Sequence, residues 1–208
     1  MYLESIIWRW ILSNLTLDKI RDIAFQYFLD RGYEASNIRD ICNKVNIKPS
    51  SLYFYYKSKE ELFFNLYDDI WNDKIEKIKV IMREQEYTPA INPLKEYFKN
   101  ILDYYMCDIV KFKFLLRYHM FTPEEIALTL KEKHKKWVDE EGVLIQQIIS
   151  DCRMRGLLKN NRALQEYINE YNRFENTQLY HIIISNIKPS AVDLEQRWIK
   201  FWNMNMDE

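Results

Sequence analysis

The chain has 208 residues, of which 48% are apolar, and a formal net charge of −1. That length suits one large domain or two small ones with a real core, and the near-neutral charge excludes a whole-chain polyanion binder, so any nucleic-acid surface must be local. Only 3 glycines and 5 prolines are present, too few for the many turns of sheet-rich or parallel α/β folds, which leaves an all-α chain of long helices.

The opening stretch, "MYLESIIWRWILSNL" (residues 1–15), is apolar, but Glu4 and Arg9 interrupt it and it shows neither a basic start nor a small-residue cleavage site. It reads as an N-terminal extension rather than an export signal. Thr16 can cap a first helix, with Asp18 in its opening turn where the helix dipole favours a carboxylate. Ile20, Ile23, Ala24, Tyr27 and Phe28 then recur at helical spacing, and Gly32 supplies the stop. A short second helix starts near Ser36 or Asn37, buries Ile38, Ile41, Cys42 and Val45, and ends at Asn46, a residue type that tolerates a left-handed turn. Pro49 opens a third helix, where its missing N–H costs nothing, and Leu52 and Tyr56 face inward. Ser58 and Glu61 form an S-x-x-E capping signal for a fourth helix that runs to about Glu86 along Leu62, Phe63, Leu66, Ile70 and Ile78.

"YTPAINP", with Pro89 and Pro93, breaks this pattern and marks a connection. Further helices are expected from Pro93 behind Asn92, from Val110 to Phe121, and from about Pro123 to Arg155, with Gly142 a point of interruption and Gly156 a stop. A last pair covers about Asn161–Asn186 and Pro189–Asn203. The organisation is therefore a unit at 16–62, a connecting helix at about 58–86, and a larger helical unit at 87–208.

Cys42, Cys107 and Cys152 are odd in number and lack CxxC spacing, so neither a disulfide framework nor a zinc site is indicated, as suits a reducing cytoplasm. His119, His134 and His181 lack metal-ligand spacing. There is no phosphate-cradling glycine loop, G-x-S-x-G or H-E-x-x-H, so no enzyme chemistry and no cofactor is proposed. No apolar run approaches the ~20 residues of a membrane span, and no membrane partner is expected. The basic run "KEKHKKW" at 131–137 reads as a solvated helix face.

The stretch "KPSSLYFYYKSKEEL" is more informative. Helically spaced rings usually pack a core. Here they follow a tight turn, precede a capping signal and stand in a locally basic setting. From Ser36 to Lys59 the charged residues are Arg39, Lys44, Lys48, Lys57 and Lys59 against Asp40 alone. Two short helices joined at Asn46–Lys48 and braced by a first make a helix-turn-helix. Its second helix presents its N-terminal end outward, and cations there neutralise phosphates with counterion release.

From Thr16 to Leu66 the residues resemble the TetR-like (tetracycline-repressor-like) regulators. The core of the likeness is "FLDRGYEASNIRDICNKVNIKPSSLYFYYKSKEEL". The resemblance implies an N-terminal DNA-binding unit and a C-terminal helical unit for effector binding and dimerisation. The protein would be a transcriptional regulator, a repressor released from a palindromic operator by a small molecule. Its implied partners are double-stranded DNA, an apolar or aromatic effector, and a second copy of the chain. By position, Ser36, Asn37, Arg39, Lys48, Ser50, Ser51, Tyr53, Phe54, Tyr55 and Lys59 would meet DNA. Asn46 replaces the usual turn glycine, and Pro49 lacks a side-chain donor, so base reading would rest on Arg39, the serines and Tyr53.

In the larger unit, Tyr97, Tyr104, Tyr105, Phe112, Tyr118 and Trp137 could line an apolar effector pocket, a composition shared with a plain aromatic core. Leu164, Ile168, Tyr171, Leu179 and Ile182 on one helix, with Leu194, Trp198, Phe201 and Trp202 on the next, are candidates for a four-helix dimer interface. The competing reading is a helical scaffold or enzyme whose N-terminal unit does not bind DNA.

Overall fold

The computed structural model describes residues 2–87, 90–158 and 162–206, with the backbone alone for 2–14. Thr88 and Pro89 of the expected connection, and Asn161 at the expected start of a helix, lie outside these. Among the described residues the protein is all-α, with helices α1 (Tyr2–Arg31), α2 (Ile38–Val45), α3 (Pro49–Tyr55), α4 (Lys59–Tyr87), α5 (Pro93–Cys107), α6 (Ile109–Met120), α7 (Ala127–Met154), α8 (Leu164–Ser185) and α9 (Ala191–Asn205). A 3-10 turn, Glu124–Ile126, precedes α7.

Several ends form where their local chemistry directs. Gly32 (φ +87°) closes α1, its N–H donating to the Phe28 carbonyl. Asn46 (φ 62°) and Asn186 (φ 53°) take the left-handed conformation after α2 and α8. Asn92 caps α5 by accepting the Lys95 N–H at 3.0 Å. Ser58 accepts the Glu61 N–H at 3.0 Å, while the Glu61 carboxylate reaches back to the Lys57 N–H at 2.6 Å.

Two expectations change. Thr16 does not begin a helix, because α1 already runs from Tyr2. No glycine or proline precedes Gly32, so nothing stops helix propagation backward through the apolar opening. Gly142 does not interrupt α7 either. One helical glycine costs only ~1 kcal/mol, and α7 buries Trp137, Ile145 and Ile149 on either side of it.

The chain forms two compact units, one comprising the segment that ends at Ile70 together with Lys113–Glu132, the other Trp71–Phe112 with Lys133 onward. The first is built around rings. Phe63 of α4 is fully buried and meets Phe28 of α1 (5.4 Å between ring centres), Tyr33 (5.2 Å), and Phe114 (5.6 Å) and Tyr118 (4.6 Å) of α6. Tyr118 adds a buried hydrogen bond, its hydroxyl donating to the Phe28 carbonyl at 2.8 Å. In the second unit, Phe98 of α5 packs on Phe174 of α8 (4.9 Å) and Trp198 of α9 (5.3 Å), and Phe174 stacks on Phe201 at 4.1 Å.

Phe63→Ala removes the ring at which three segments meet, and buried Phe→Ala changes cost ~3–5 kcal/mol. This variant is expected to unfold at markedly lower denaturant concentration than the parent, measured by tryptophan fluorescence and circular dichroism.

Candidate nucleic-acid interface and buried polar hub

The orientation of α3 follows from its two inward residues. Leu52 is fully buried and Tyr56, at the C-terminal cap, is 5% exposed. Arg21 of α1 donates to the Tyr56 hydroxyl (3.3 Å) and also binds Asn65 and Asp69 of α4, so one guanidinium ties α1, α3 and α4 together. With those residues held, the rest of α3 faces outward. Ser50, Ser51, Tyr53 (51%) and Phe54 (83%) are exposed, and Tyr55 is half-buried with its ring edge-on to Phe54. Lys48 at the N-terminal cap and Arg39, Lys44 and Lys57 nearby are exposed as well. The rings are thus divided: Tyr56 packs, while Tyr53 and Phe54 stand in solvent among cations. Tyrosine hydroxyls, serines and lysines suit phosphate contact, and arginine and serine suit base edges.

Three of the ten DNA candidates stand differently. Ser36 is buried (1% exposed), and its hydroxyl donates to the Gly32 carbonyl at 2.7 Å. It braces the turn after α1 and is not a surface contact. Asn37 is exposed, but its side-chain oxygen is engaged as the α2 cap, accepting from the Arg39 and Asp40 N–H groups at 2.7 and 3.3 Å. Lys59 is half-buried: its ammonium donates to the Tyr33 carbonyl (3.2 Å), lies 4.0 Å over the Tyr33 ring and sits 3.9 Å from Glu125. A phosphate would have to compete with that carboxylate. The Tyr33 hydroxyl also faces Glu125, at 3.4 Å, and burial with that negative charge raises its pKa strongly.

In the second unit, five of the six effector candidates stand in ring contacts. Tyr105 stands edge-on to Phe112 at 4.2 Å, Tyr104 meets the same ring at 5.6 Å, and Tyr97 lies 5.9 Å from Tyr171. Trp137 joins through the parallel ring of Trp71 at 6.4 Å. Tyr118 does not take part, being committed to Phe28, Phe63 and Phe114 in the first unit.

Polar groups converge among these rings, and sequence reading missed them. Glu175 of α8 is 6% exposed and accepts from the Tyr105 hydroxyl at 2.6 Å. Lys74 of α4 pairs with Glu141 of α7 at 2.6 Å and lies 5.1 and 5.3 Å over the rings of Trp71 and Tyr105. Burial raises the Glu175 pKa, Glu141 adding to the shift and Lys74 opposing it. Burial likewise pushes the Tyr97, Tyr105 and Tyr171 hydroxyls well above their ordinary range. A signal existed. Ile168, Tyr171, Gln178 and Ile182 are buried at i, i+3, i+10 and i+14, and Glu175 falls on that apolar stripe at i+7.

The dimer candidates are largely core. Ile168, Tyr171, Ile182, Trp198 and Phe201 are buried within the unit, and Leu164, Leu179, Leu194 and Trp202 are half-buried. The expectation that Trp198 and Phe201 need a partner subunit to be buried is corrected: Phe98 and Phe174 cover Trp198, and Phe174 covers Phe201. The large apolar residues left exposed on these helices are Tyr180 and Ile184 on α8 and Val192, Ile199 and Met204 on α9, between 41 and 82% exposed.

Residues 20–66 match the family described as bacterial regulatory proteins, tetR family. The biofilm operon icaADBC HTH-type negative transcriptional regulator IcaR of Staphylococcus epidermidis is 34% identical over 87 residues, 41% of this chain and 45% of that protein. IcaR of Staphylococcus aureus (strain Newman) is 41% identical over 46 residues, 22% of this chain and 25% of that protein. The chain thus spans less than half the length of the curated relatives it matches. Two solved structures share the fold over nearly the whole chain. NalD, the secondary repressor of the MexAB-OprM multidrug efflux pump in Pseudomonas aeruginosa, superposes with a TM-score of 0.68 at 15% identity, covering 93% of this chain and 97% of that one. FadR from Bacillus subtilis, in complex with stearoyl-CoA, gives 0.65 at 14% identity, covering 91% and 97%.

The division of rings on α3 is expected to appear directly in stability. Leu52→Ala should lower the unfolding free energy by ~2–5 kcal/mol. Tyr53→Ala and Phe54→Ala should each stay within ~0.5 kcal/mol of the parent, as read from denaturant melts.

Proposed function

We propose that this chain, which carries the tetR-family helix-turn-helix over residues 20–66, is a transcriptional regulator that represses by holding a palindromic operator and lets go when a small effector occupies its second unit. The observation that carries the reading is the outer face of α3: Tyr53 and Phe54 exposed beside Lys48, Ser50 and Ser51 on a helix anchored by Leu52 and Tyr56. A folded protein has no packing reason to hold two large rings in water among cations, whereas a groove lined by phosphates and thymine methyls supplies partners for both. The scaffold or enzyme alternative offers no use for that face. Such a regulator works beside DNA in the cytoplasm, and no described helix is long and apolar enough to cross a membrane.

One recognition helix of 7 residues spans too few base pairs for specificity, so two heads on successive half-sites are required. We assign the dimer contact to the outward residues Tyr180, Ile184, Val192 and Ile199 instead of the buried tryptophan face. A two-fold pairing of α8 and α9 through these closes on itself. For the effector, the rings around Tyr105 supply an apolar wall.

On DNA from upstream of its own gene, the parent should give a discrete gel shift. Tyr53→Ala and Lys48→Ala should weaken it, with Lys48→Ala lowering the slope of log affinity against log salt by ~1 if it contacts one phosphate. Wild-type affinity and salt dependence in both would remove α3 as the reading face. In sedimentation, Ile199→Glu and Ile184→Glu should yield folded monomers that have lost most operator affinity. Trp198→Glu should instead unfold the second unit. A folded dimer in both isoleucine variants would move the interface elsewhere.

A further inference from the structure

The hub at Glu175 is expensive as pure structure. It joins four helices, α4, α5, α7 and α8, through Lys74, Tyr105, Glu141 and Glu175. With Glu175 ionised its charges do not balance, since two carboxylates then face one ammonium, and that ammonium lies 2.6 Å from Glu141. Burying an uncompensated charge is strongly destabilising, and an apolar residue at position 175 would continue the α8 stripe at no such cost. The polar atoms around it are also incompletely used. The Tyr97 hydroxyl is buried without a hydrogen-bond partner, and the Tyr171 hydroxyl approaches the same carboxylate without meeting hydrogen-bond geometry. Each buried hydroxyl left unsatisfied costs ~1–3 kcal/mol. Trp71 Nε1, beside Lys74, is likewise unpartnered. Around these groups stand the faces and edges of Tyr97, Tyr105, Phe112 and Trp71.

We propose that this hub is a recognition site for a cationic, ring-bearing small molecule, an organic amine whose ammonium group meets Glu175 and the hydroxyls of Tyr97 and Tyr171. A positive guest supplies the missing charge. Its N–H groups satisfy an anion and two hydroxyl oxygens that otherwise lack donors, and tyrosine and tryptophan faces attract cations more strongly once water is removed. The hydroxyls cannot take over as anions, because burial holds all three in their neutral form. The assignment rests on the regulator reading for its purpose, since it names the chemical class of the effector, but the binding event does not require DNA. It also changes the sequence expectation of an apolar effector: the walls are apolar and the anchor is a charge. An anionic guest such as an acyl carboxylate would meet Glu175 and Glu141 with like charge.

Proton linkage follows from the same groups. The ionisable side chains facing Glu175 are Lys74 from α4, Tyr97 and Tyr105 from α5, Glu141 from α7 and Tyr171 from its own helix. The tyrosines stay neutral, so Glu175 is the group that exchanges a proton. Its pKa is raised in the free protein, so a cation must displace that proton as pH falls. Affinity for an amine is therefore lowest on the acid side and rises with pH until Glu175 is ionised.

The test uses three probes of one shape, 3-phenylpropylamine, 3-phenylpropanol and 3-phenylpropanoate, with the full-length protein and no DNA, by titration calorimetry. The amine should bind saturably, the alcohol at least 10-fold more weakly, and the carboxylate weakest. Amine affinity should rise with pH, and buffers of different ionisation enthalpy should report proton release. Glu175→Gln, which keeps an acceptor for Tyr105 and removes the charge, should lose at least 10-fold in amine affinity and all of the pH dependence. Tyr97→Phe should weaken the amine alone. If Glu175→Gln does not fold, the pH profile and probe order of the parent decide. No amine binding, equal binding of amine and carboxylate, or full amine affinity in folded Glu175→Gln would overturn the proposal. A positive gel shift beside any of those results would leave the regulator reading standing, and a failed gel shift beside tight amine binding would do the reverse.

Discussion

Packing at Phe63 is the constraint on which the first unit depends. The helix-turn-helix itself is small: α2 has 8 residues and α3 has 7, far below the length at which isolated helices hold in water. Neither carries enough apolar surface to position itself. What fixes them is a platform of rings, with Phe28 of α1, Tyr33 from the turn after it, and Phe114 and Tyr118 of α6 all closing on Phe63 of α4. Arg21 then carries that rigidity to α3 through Tyr56. The exposed face of α3 is therefore held by residues distant in the chain, and Lys113–Glu132 belongs physically with a unit from which it is separated by more than forty positions.

A second, polar constraint governs the other unit. Lys74, Glu141, Glu175 and Tyr105 each come from a different helix. Ring packing tolerates small slides of one helix against another, whereas charged hydrogen bonds in a dry interior do not. Four helices meeting at such a point have a defined arrangement, and a guest that alters the charge there acts on all four together.

Much of the first unit was legible because its signals are local. Glycine after α1, asparagine after α2, proline opening α3 and the Ser58–Glu61 pair each act within one turn of chain, so spacing alone locates them. The basic stretch around α3 was legible for the same reason. Ser36 misled because a hydroxyl at a helix start has two uses, and only the fold shows that the Gly32 carbonyl takes it. The surroundings of Lys59 were hidden similarly, since Glu125 lies 66 positions away in sequence and 3.9 Å away in space. In the second unit, apolar spacing on α8 and α9 singled out Ile168, Tyr171, Ile182, Trp198 and Phe201, which are buried, but could not say whether the chain or a partner covers them. Phe98 and Phe174 cover Trp198 and Phe201, and no periodicity in α9 encodes that. Glu175 was visible as a charge on an apolar stripe, but its partners on three other helices were not.

The anchoring of α3 has a bearing on how such a protein diversifies. Leu52 and Tyr56 tie this helix to the body, and both point away from the outer surface. Ser50, Ser51, Tyr53 and Phe54 are exposed, and replacements at exposed positions usually change stability by no more than ~0.5 kcal/mol. Descendants of a duplicated gene can therefore exchange these four positions while keeping an intact body. The outer face of α3 behaves as an interchangeable cassette seated on two inward-facing pegs, a division of labour that allows a surface to be rewritten by a handful of codons.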